Sequence, residues 1–289
     1  MGANDPYTEY AGQNIIKAEN KDRFGNVRGN QYDLSKDGAF SGFKIAVLHL
    51  YTGEGFDFEL PTLALREKGF GVHRWKDAAP PVAEFAAVLE TCCQLWVISS
   101  NTQLITNEHI DIIESFFNQG RGVYIWGDND PYYTDANRIL KRLFNCSLAG
   151  NSPGNQVLTL QTSRGTRGFS PNHQITTGLE FLYEGITIAS IKPESAMQPL
   201  IFGSGNSMIA GIYDKDGKRA IADGGFTRLF CQWDTAGTGR YVKNAAAWLT
   251  NYHKLYKTEG GILKGTLIIK GDEKPVENKT ASLKGKLLK

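Results

Sequence analysis

Three short apolar runs, at residues 44–51, 95–99 and 123–126, alternate with stretches of helical periodicity, and this rhythm constrains the fold more than any other feature of the chain. Near-continuous apolar runs of this length suit parallel strands that are covered on both faces. Residues 60–68 form the first helical stretch, with Pro61 in its first turn and Gly69 at its end. After a short strand at 71–75, residues 82–89 place Val82, Phe85, Ala86 and Leu89 on one face. In the stretch 107–119, Thr106 can cap the start and Glu108 suits the positive end of the helix. Ile110, Ile113, Phe116 and Phe117 make its stripe, and Gly120 stops it. Strand and helix in this alternation predict right-handed βαβ units and a mostly parallel sheet.

The run at 123–126 ends abruptly at Gly127-Asp-Asn-Asp-Pro131, a cluster of turn residues rich in carboxylates and amides, and a further helix is predicted at 134–144. In an open α/β sheet, such a strand-to-helix turn lies at the carboxyl edge, where ligands and catalytic groups gather. Beyond residue 147 the rhythm changes to short runs broken by Gly, Pro and Asn. Strands are predicted at 157–160, 186–191, 199–202, 208–213 and 219–223, the last two joined by a hairpin turn at Asp214-Lys-Asp-Gly217. Residues 225–233 read as another strand, ending at Asp234. A last helix is predicted at 239–255, capped by Thr238, with Tyr241, Ala245, Trp248, Leu249 and Tyr252 on one face. The chain therefore divides into a polar arm at 1–42, an α/β domain at 43–256 and a lysine-rich extension at 257–289 that includes a candidate strand at 261–270. The arm is expected to be disordered alone, or ordered by packing on the body or on a neighbouring subunit.

Thirty-two basic and 30 acidic residues leave a formal charge of +2, so no global field points to nucleic acid or a membrane surface. The nine lysines after residue 253 lack arginines, and Tyr256 is the only aromatic among them on which a base could stack. No run reaches the roughly 18–20 apolar residues of a membrane span, and no signal-peptide core opens the chain, so a cytoplasmic location is expected. The cysteines, Cys92, Cys93, Cys146 and Cys231, have neither disulfide-scaffold density nor metal spacing and read as reduced thiols.

The segment from Leu95 to Asn129 contains Ser99-Ser-Asn101, Leu104-Ile-Thr106, Asn118-Gln-Gly120 and Gly127-Asp-Asn129, and it resembles the class I glutamine-amidotransferase-like superfamily. It looks most like non-amidotransferase branches, the trehalose-utilisation-type proteins and the amidotransferase-like domain of intraflagellar transport proteins. Asn172-His-Gln-Ile-Thr-Thr-Gly-Leu179 adds to the resemblance, with Gln174 where those branches often carry proline. The resemblance covers roughly residues 43–255. It implies a flavodoxin-like three-layer α/β sandwich with a mostly parallel central sheet, to which antiparallel hairpins are added in the second half.

A working amidotransferase needs a cysteine on the strand-to-helix turn, with a His and a Glu two residues apart to support it. Gly127 to Pro131 holds no Cys, Ser or Thr, and His173 is followed by Gln174 and Ile175, so the triad is absent. Two readings of the carboxylates stand side by side. Asp128, Asp130 and Asp234 could converge and hold Mg²⁺ through oxygen ligands. Alternatively, Asp128 and Asn129 close the turn on backbone amides and Asp234 caps the entry to the last helix. His173 is expected in a loop that folds toward the same edge, while His49, His73, His109 and His253 read as structural. Tyr51, Phe56, Phe58, Trp126, Tyr132, Tyr133 and Trp233 gather near that edge by sequence and could line a sugar pocket or centre a protein interface. Ser99 and Glu54 complete the candidate ligand-binding set. No cofactor is implied. The expected function is a catalytically silent domain that binds protein partners or itself through the arm or the extension. The alternative is a hydrolase or binding protein for a carbohydrate or other small polar ligand.

Overall fold

The computed structural model describes residues 20–252. Twelve strands and five helices build them, beginning with β1 (Lys44–His49), α1 (Glu59–Glu67), β2 (Gly71–Lys76), α2 (Val82–Glu90), β3 (Gln94–Ile98), α3 (Asn107–Asn118), β4 (Gly122–Trp126) and α4 (Thr134–Phe144). The second half adds β5 (Ser147–Pro153), β6 (Val157–Thr159), β7 (Gly168–Phe169), β8 (Phe181–Tyr183), β9 (Thr187–Lys192), β10 (Gln198–Phe202), β11 (Met208–Lys215), β12 (Lys218–Asp223) and α5 (Thr238–Leu249). Eight strands form one sheet in the order β2-β1-β3-β4-β12-β11-β10-β7. Its first five strands are parallel, in the flavodoxin-like order, and β11, β10 and β7 extend it antiparallel. Two small antiparallel pairs, β5-β9 and β6-β8, lie outside it.

The period of two along the strands explains the three layers. Ile45 and Val47, Trp96 and Ile98, and Tyr124 and Trp126 enter one core with Leu65 of α1 and Tyr241, Val242, Ala245 and Leu249 of α5. Ala46 and Leu48, Leu95 and Val97, and Val123 and Ile125 enter the other with Phe85, Ile113, Phe116, Ile139 and Leu140 of α2, α3 and α4. At β4 the strand and helix layers touch: a Cβ on Gly122 would strike the carbonyl oxygen of Leu249.

The sequence-based expectations hold for the βαβ half and fail at two places. Residues 225–233 are not a strand. They make a 3-10 turn at Phe226–Leu229 that crosses the sheet end, with four consecutive buried residues, and Gln232 beyond it is left-handed at φ 53°. The helix expected at 239–255 is broken after Leu249, where α5 ends; Thr238 is its first residue, following Gly237 at the cap position, and residues 253–255 lie outside the described residues. Residues 20–42 follow one of the two courses expected of the arm and pack on the body. Asp22 and Asn26 bind one another, Asn26 Nδ2 donates to Phe181 O at 2.8 Å, and Leu34 N donates to Asn244 Oδ1 at 2.8 Å.

The strongest tie is Asp33, whose side chain is fully buried among three cations. Arg240 Nε lies 2.8 Å from Oδ1, and Lys68 and Lys243 each place Nζ 2.8 Å from Oδ2. Burial works to raise the Asp33 carboxyl, and hydrogen bonds from the three cations overcome it, holding it below its ordinary value. The candidate strand at 261–270, His253 and the extension at 257–289 lie outside the described residues.

Candidate functional site

The focal turn begins where β4 ends. Gly127 has room for no side chain, because a Cβ there would meet Leu148 and Tyr133. Asp128 follows with no exposed surface. Its Oδ1 accepts from Asn129 N at 2.8 Å and Thr187 Oγ1 at 3.1 Å, and its Oδ2 accepts from Thr227 N at 3.0 Å. Thr187 is shared, since its hydroxyl also lies 2.6 Å from Asn129 Oδ1. The carboxyl thus knits β9, the focal turn and the Phe226–Leu229 turn. Burial pushes it up to about 7, while the two backbone donors and Thr187 pull the other way.

Asp130 is exposed and takes a hydrogen bond from Tyr133 OH at 3.0 Å, so this pair closes on itself at the surface. Asp234 binds elsewhere: its Oδ2 accepts from Arg23 N at 3.2 Å and its Oδ1 from Ala236 N at 3.0 Å. Burial raises Asp234, as does Asp22, whose carboxyl is within hydrogen-bond reach. No partner of Asp234 is a partner of Asp128 or Asp130, and among the described residues no three His, Cys, Asp and Glu side chains are grouped to hold a metal ion. Of the two readings of Asp128, Asp130 and Asp234, the contacts match the one in which backbone amides take up Asp128 and Asp234.

His173 is placed at the opposite edge of the sheet, a correction to the expectation that its loop meets the focal turn. Its ring packs on Trp248 near the carboxyl end of α5, with centroids 5.3 Å apart, and its Nδ1 accepts from Ile175 N at 3.2 Å. Burial pushes it down to about 4, with Asp214 and Arg219 of the β11–β12 hairpin as its charged neighbours. Ser99 is buried and structural: its Oγ accepts from Asp135 N at 3.0 Å and Ala136 N at 3.1 Å, capping α4. Trp233 is half-buried on the Asp234 side, where its carbonyl accepts from Arg23.

The aromatic residues do gather, as a filling. Tyr51 packs on Tyr132 and Phe226, with centroids 5.0 and 5.2 Å apart, and Phe56 packs on Phe230 at 4.4 Å and on His49 at 4.4 Å. Segments leaving the carboxyl ends of β1 and β12 thus meet ring against ring where a flavodoxin-like sheet offers a crevice. Glu54 stands exposed on this loop. Cys231 lies nearby, and burial, Glu54 and Asp128 all raise its thiol, which keeps it protonated and a poor nucleophile.

Beneath the rings is a polar network that the sequence reading missed. Arg228, fully buried, sets Nη1 2.8 Å from Asp223 Oδ2 and donates through Nη2 to Glu184 O at 2.8 Å. Tyr124 and Tyr241 donate to the same Asp223 oxygen at 3.3 and 3.0 Å. The one signal in the chain was an arginine inside the apolar run 226–230, since a buried charge must be paired. An open groove of about 660 Å³ lies away from all of these residues, lined by Asn107, Ile110, Asn137, Arg138, Lys141, Arg142 and Ser147. Arg138 and Arg142 are already committed there to Asn107, Asp111 and Glu114.

No protein family and no curated protein sequence matches the chain. Among solved structures it is similar to a ThuA-like protein from Parabacteroides merdae, at 11% identity and a TM-score of 0.48, over 73% of this chain and 90% of that one.

Proposed function

We infer that this chain is a catalytically silent, amidotransferase-like domain that works by binding protein partners. One observation carries the reading: the carboxyl edge of the sheet is closed. The turn that would carry a nucleophile holds Asp128, whose two oxygens are taken up by Asn129 N, Thr227 N and Thr187 Oγ1, and aromatic rings fill the space beside it. A fully buried carboxyl that accepts from three donors ties segments together and is not exposed to a substrate. The binding surface is sought outside the crevice. On α1, Leu60 and Leu63 stand one turn apart at 39% and 53% exposure, whereas Ala64 and Leu65 beside them face the core. Adjacent exposed leucines on an otherwise amphipathic helix favour a protein contact over a solvated face.

The test is light scattering coupled to size exclusion on the full chain and on a Leu60→Glu, Leu63→Glu variant. The reading expects a self-assembly, or a complex with a co-purifying protein, that the variant weakens. A monomer that retains no partner in either case would overturn it.

A further inference from the structure

The groove of about 660 Å³ between α3 and α4 is open to solvent and falls in the size range of small-molecule sites. α3 contributes Asn107 and Ile110 to its walls and β5 contributes Ser147, while α4 contributes Asn137 and a row of three cations, Arg138, Lys141 and Arg142. Positions 138, 141 and 142 share one face of α4 because they stand three and four residues apart. No Asp or Glu lines the groove, and the acceptors that its amides could offer are taken. Asn107 Oδ1 receives Arg138 Nη2 at 2.7 Å, and Asn137 Oδ1 receives Leu148 N at 2.6 Å. Donors are left over. Lys141 is exposed, and its Nζ has no hydrogen-bond or ion-pair partner among the described residues. Asp111 and Glu114 both take Arg142 Nη1, at 2.7 and 2.8 Å, which leaves Nη2 and Nε of that guanidinium without a protein acceptor among the described residues.

We propose that this groove binds a single carboxylate, with Lys141 Nζ as its counter-charge and the unused N–H groups of Arg142 as further donors. A cavity rich in donors and without a carboxylate of its own selects an ionised oxygen acceptor. Charge decides which one. Arg142 already stands between two carboxylates, and Arg138 lies 3.7 Å from Asp135, so Lys141 is the cation left unmatched. One unmatched cation selects one negative charge, and a dianionic phosphate would sit beside Asp111 and Glu114 with part of its charge unbalanced. The rest of the ligand lies over Ile110, with Asn107 Nδ2 and Ser147 Oγ for its polar atoms. The carboxylate belongs either to a small organic acid or to an Asp or Glu side chain of a peptide, and the recognising chemistry is the same for both. The groove is in the other helix layer from Leu60 and Leu63 of α1, so the protein-binding reading stands or falls separately.

The test follows the amide signals of Lys141, Arg142 and Ser147 in the ¹⁵N-labelled full chain. It is titrated with sodium propionate, with N-acetylglutamate amide, with propionamide and with inorganic phosphate, at ionic strength held constant with sodium chloride. Saturating shifts at similar midpoints for propionate and the blocked glutamate assign the site to a small organic acid. A midpoint about tenfold lower for the blocked glutamate assigns it to a peptide side chain. Both outcomes support the site, and in both Lys141→Gln is expected to weaken binding about tenfold, as loss of one charge-assisted bond requires. Lys141 is exposed and unpartnered, so the variant retains the fold. Absence of a saturating shift with either carboxylate, an equal shift with propionamide, tighter binding of phosphate, or an unchanged midpoint in Lys141→Gln each overturns the proposal.

Discussion

Two buried aspartates respond to pH in opposite directions. Asp33 is held below its ordinary value by Lys243, Lys68 and Arg240 against the effect of burial, so its contribution is present near neutrality and is lost as pH falls through its folded value. Asp128 is pushed up to about 7 by burial, so its own contribution to stability is greatest below about pH 4 and declines as pH rises to about 7, by up to about 4 kcal/mol. Asp128→Asn removes that slope. Its amide must turn an N–H toward either Asn129 N or Thr227 N, so the variant is weaker than wild type at pH 4 and approaches it at pH 7. Urea midpoints across that interval check this, and a wild-type-like slope in the variant would assign the titration to another group. At Asp33 the cost is larger. Asp33→Ala leaves three buried cations without their shared counter-charge and is expected to lose about 3–5 kcal/mol in chemical denaturation.

Among elements, those covered on both faces could be read from the sequence and those held mainly by backbone pairing could not. β1, β3 and β4 are unbroken apolar runs because helices lie on either side of them. β5 is Ser-Leu-Ala-Gly-Asn-Ser-Pro, with only Leu148 fully buried, and no period marks it. The turn at Phe226–Leu229 misleads for the converse reason: four buried residues in succession imitate a buried strand, although their burial comes from crossing the sheet end. The same division applies to the candidate site. The Gly127 turn is recognisable from its turn chemistry, whereas the pairing of Asp223 with Arg228, and the reversal that carries His173 away to Trp248, depend on tertiary placement. The approach of β4 to α5 is testable at Gly122. Gly122→Ala drives a methyl into the Leu249 backbone and is expected to cost about 1–3 kcal/mol by thermal or chemical unfolding, and an unchanged midpoint would show that the helix end can shift.

At the scale of the molecule, residues 20–42 belong to the body, which changes where the chain can be cut. Removal of residues 1–42 takes away Asp33 and the carbonyls of Val27 and Gly29 that receive Arg240 Nη2 at 2.8 and 2.9 Å. Removal of residues 1–19 leaves every one of these contacts in place. The longer deletion is therefore expected to lower the urea midpoint sharply or yield insoluble protein, and to do so well beyond the effect of the shorter one; equal stability of the two would contradict the role given to Asp33. No helix among the described residues is long and apolar enough to cross a membrane.

The Asp33 cluster also sets a clock for synthesis. Asp33 and Arg240 are 207 residues apart, and at roughly 5–20 residues per second a ribosome needs on the order of 10–40 s between them. During that interval Lys68 is the one member of the cluster already made. A nascent chain can pair Asp33 with Lys68 early, but the full charge balance waits for α5, so the last of the five described helices is the one that locks the first described segment in place.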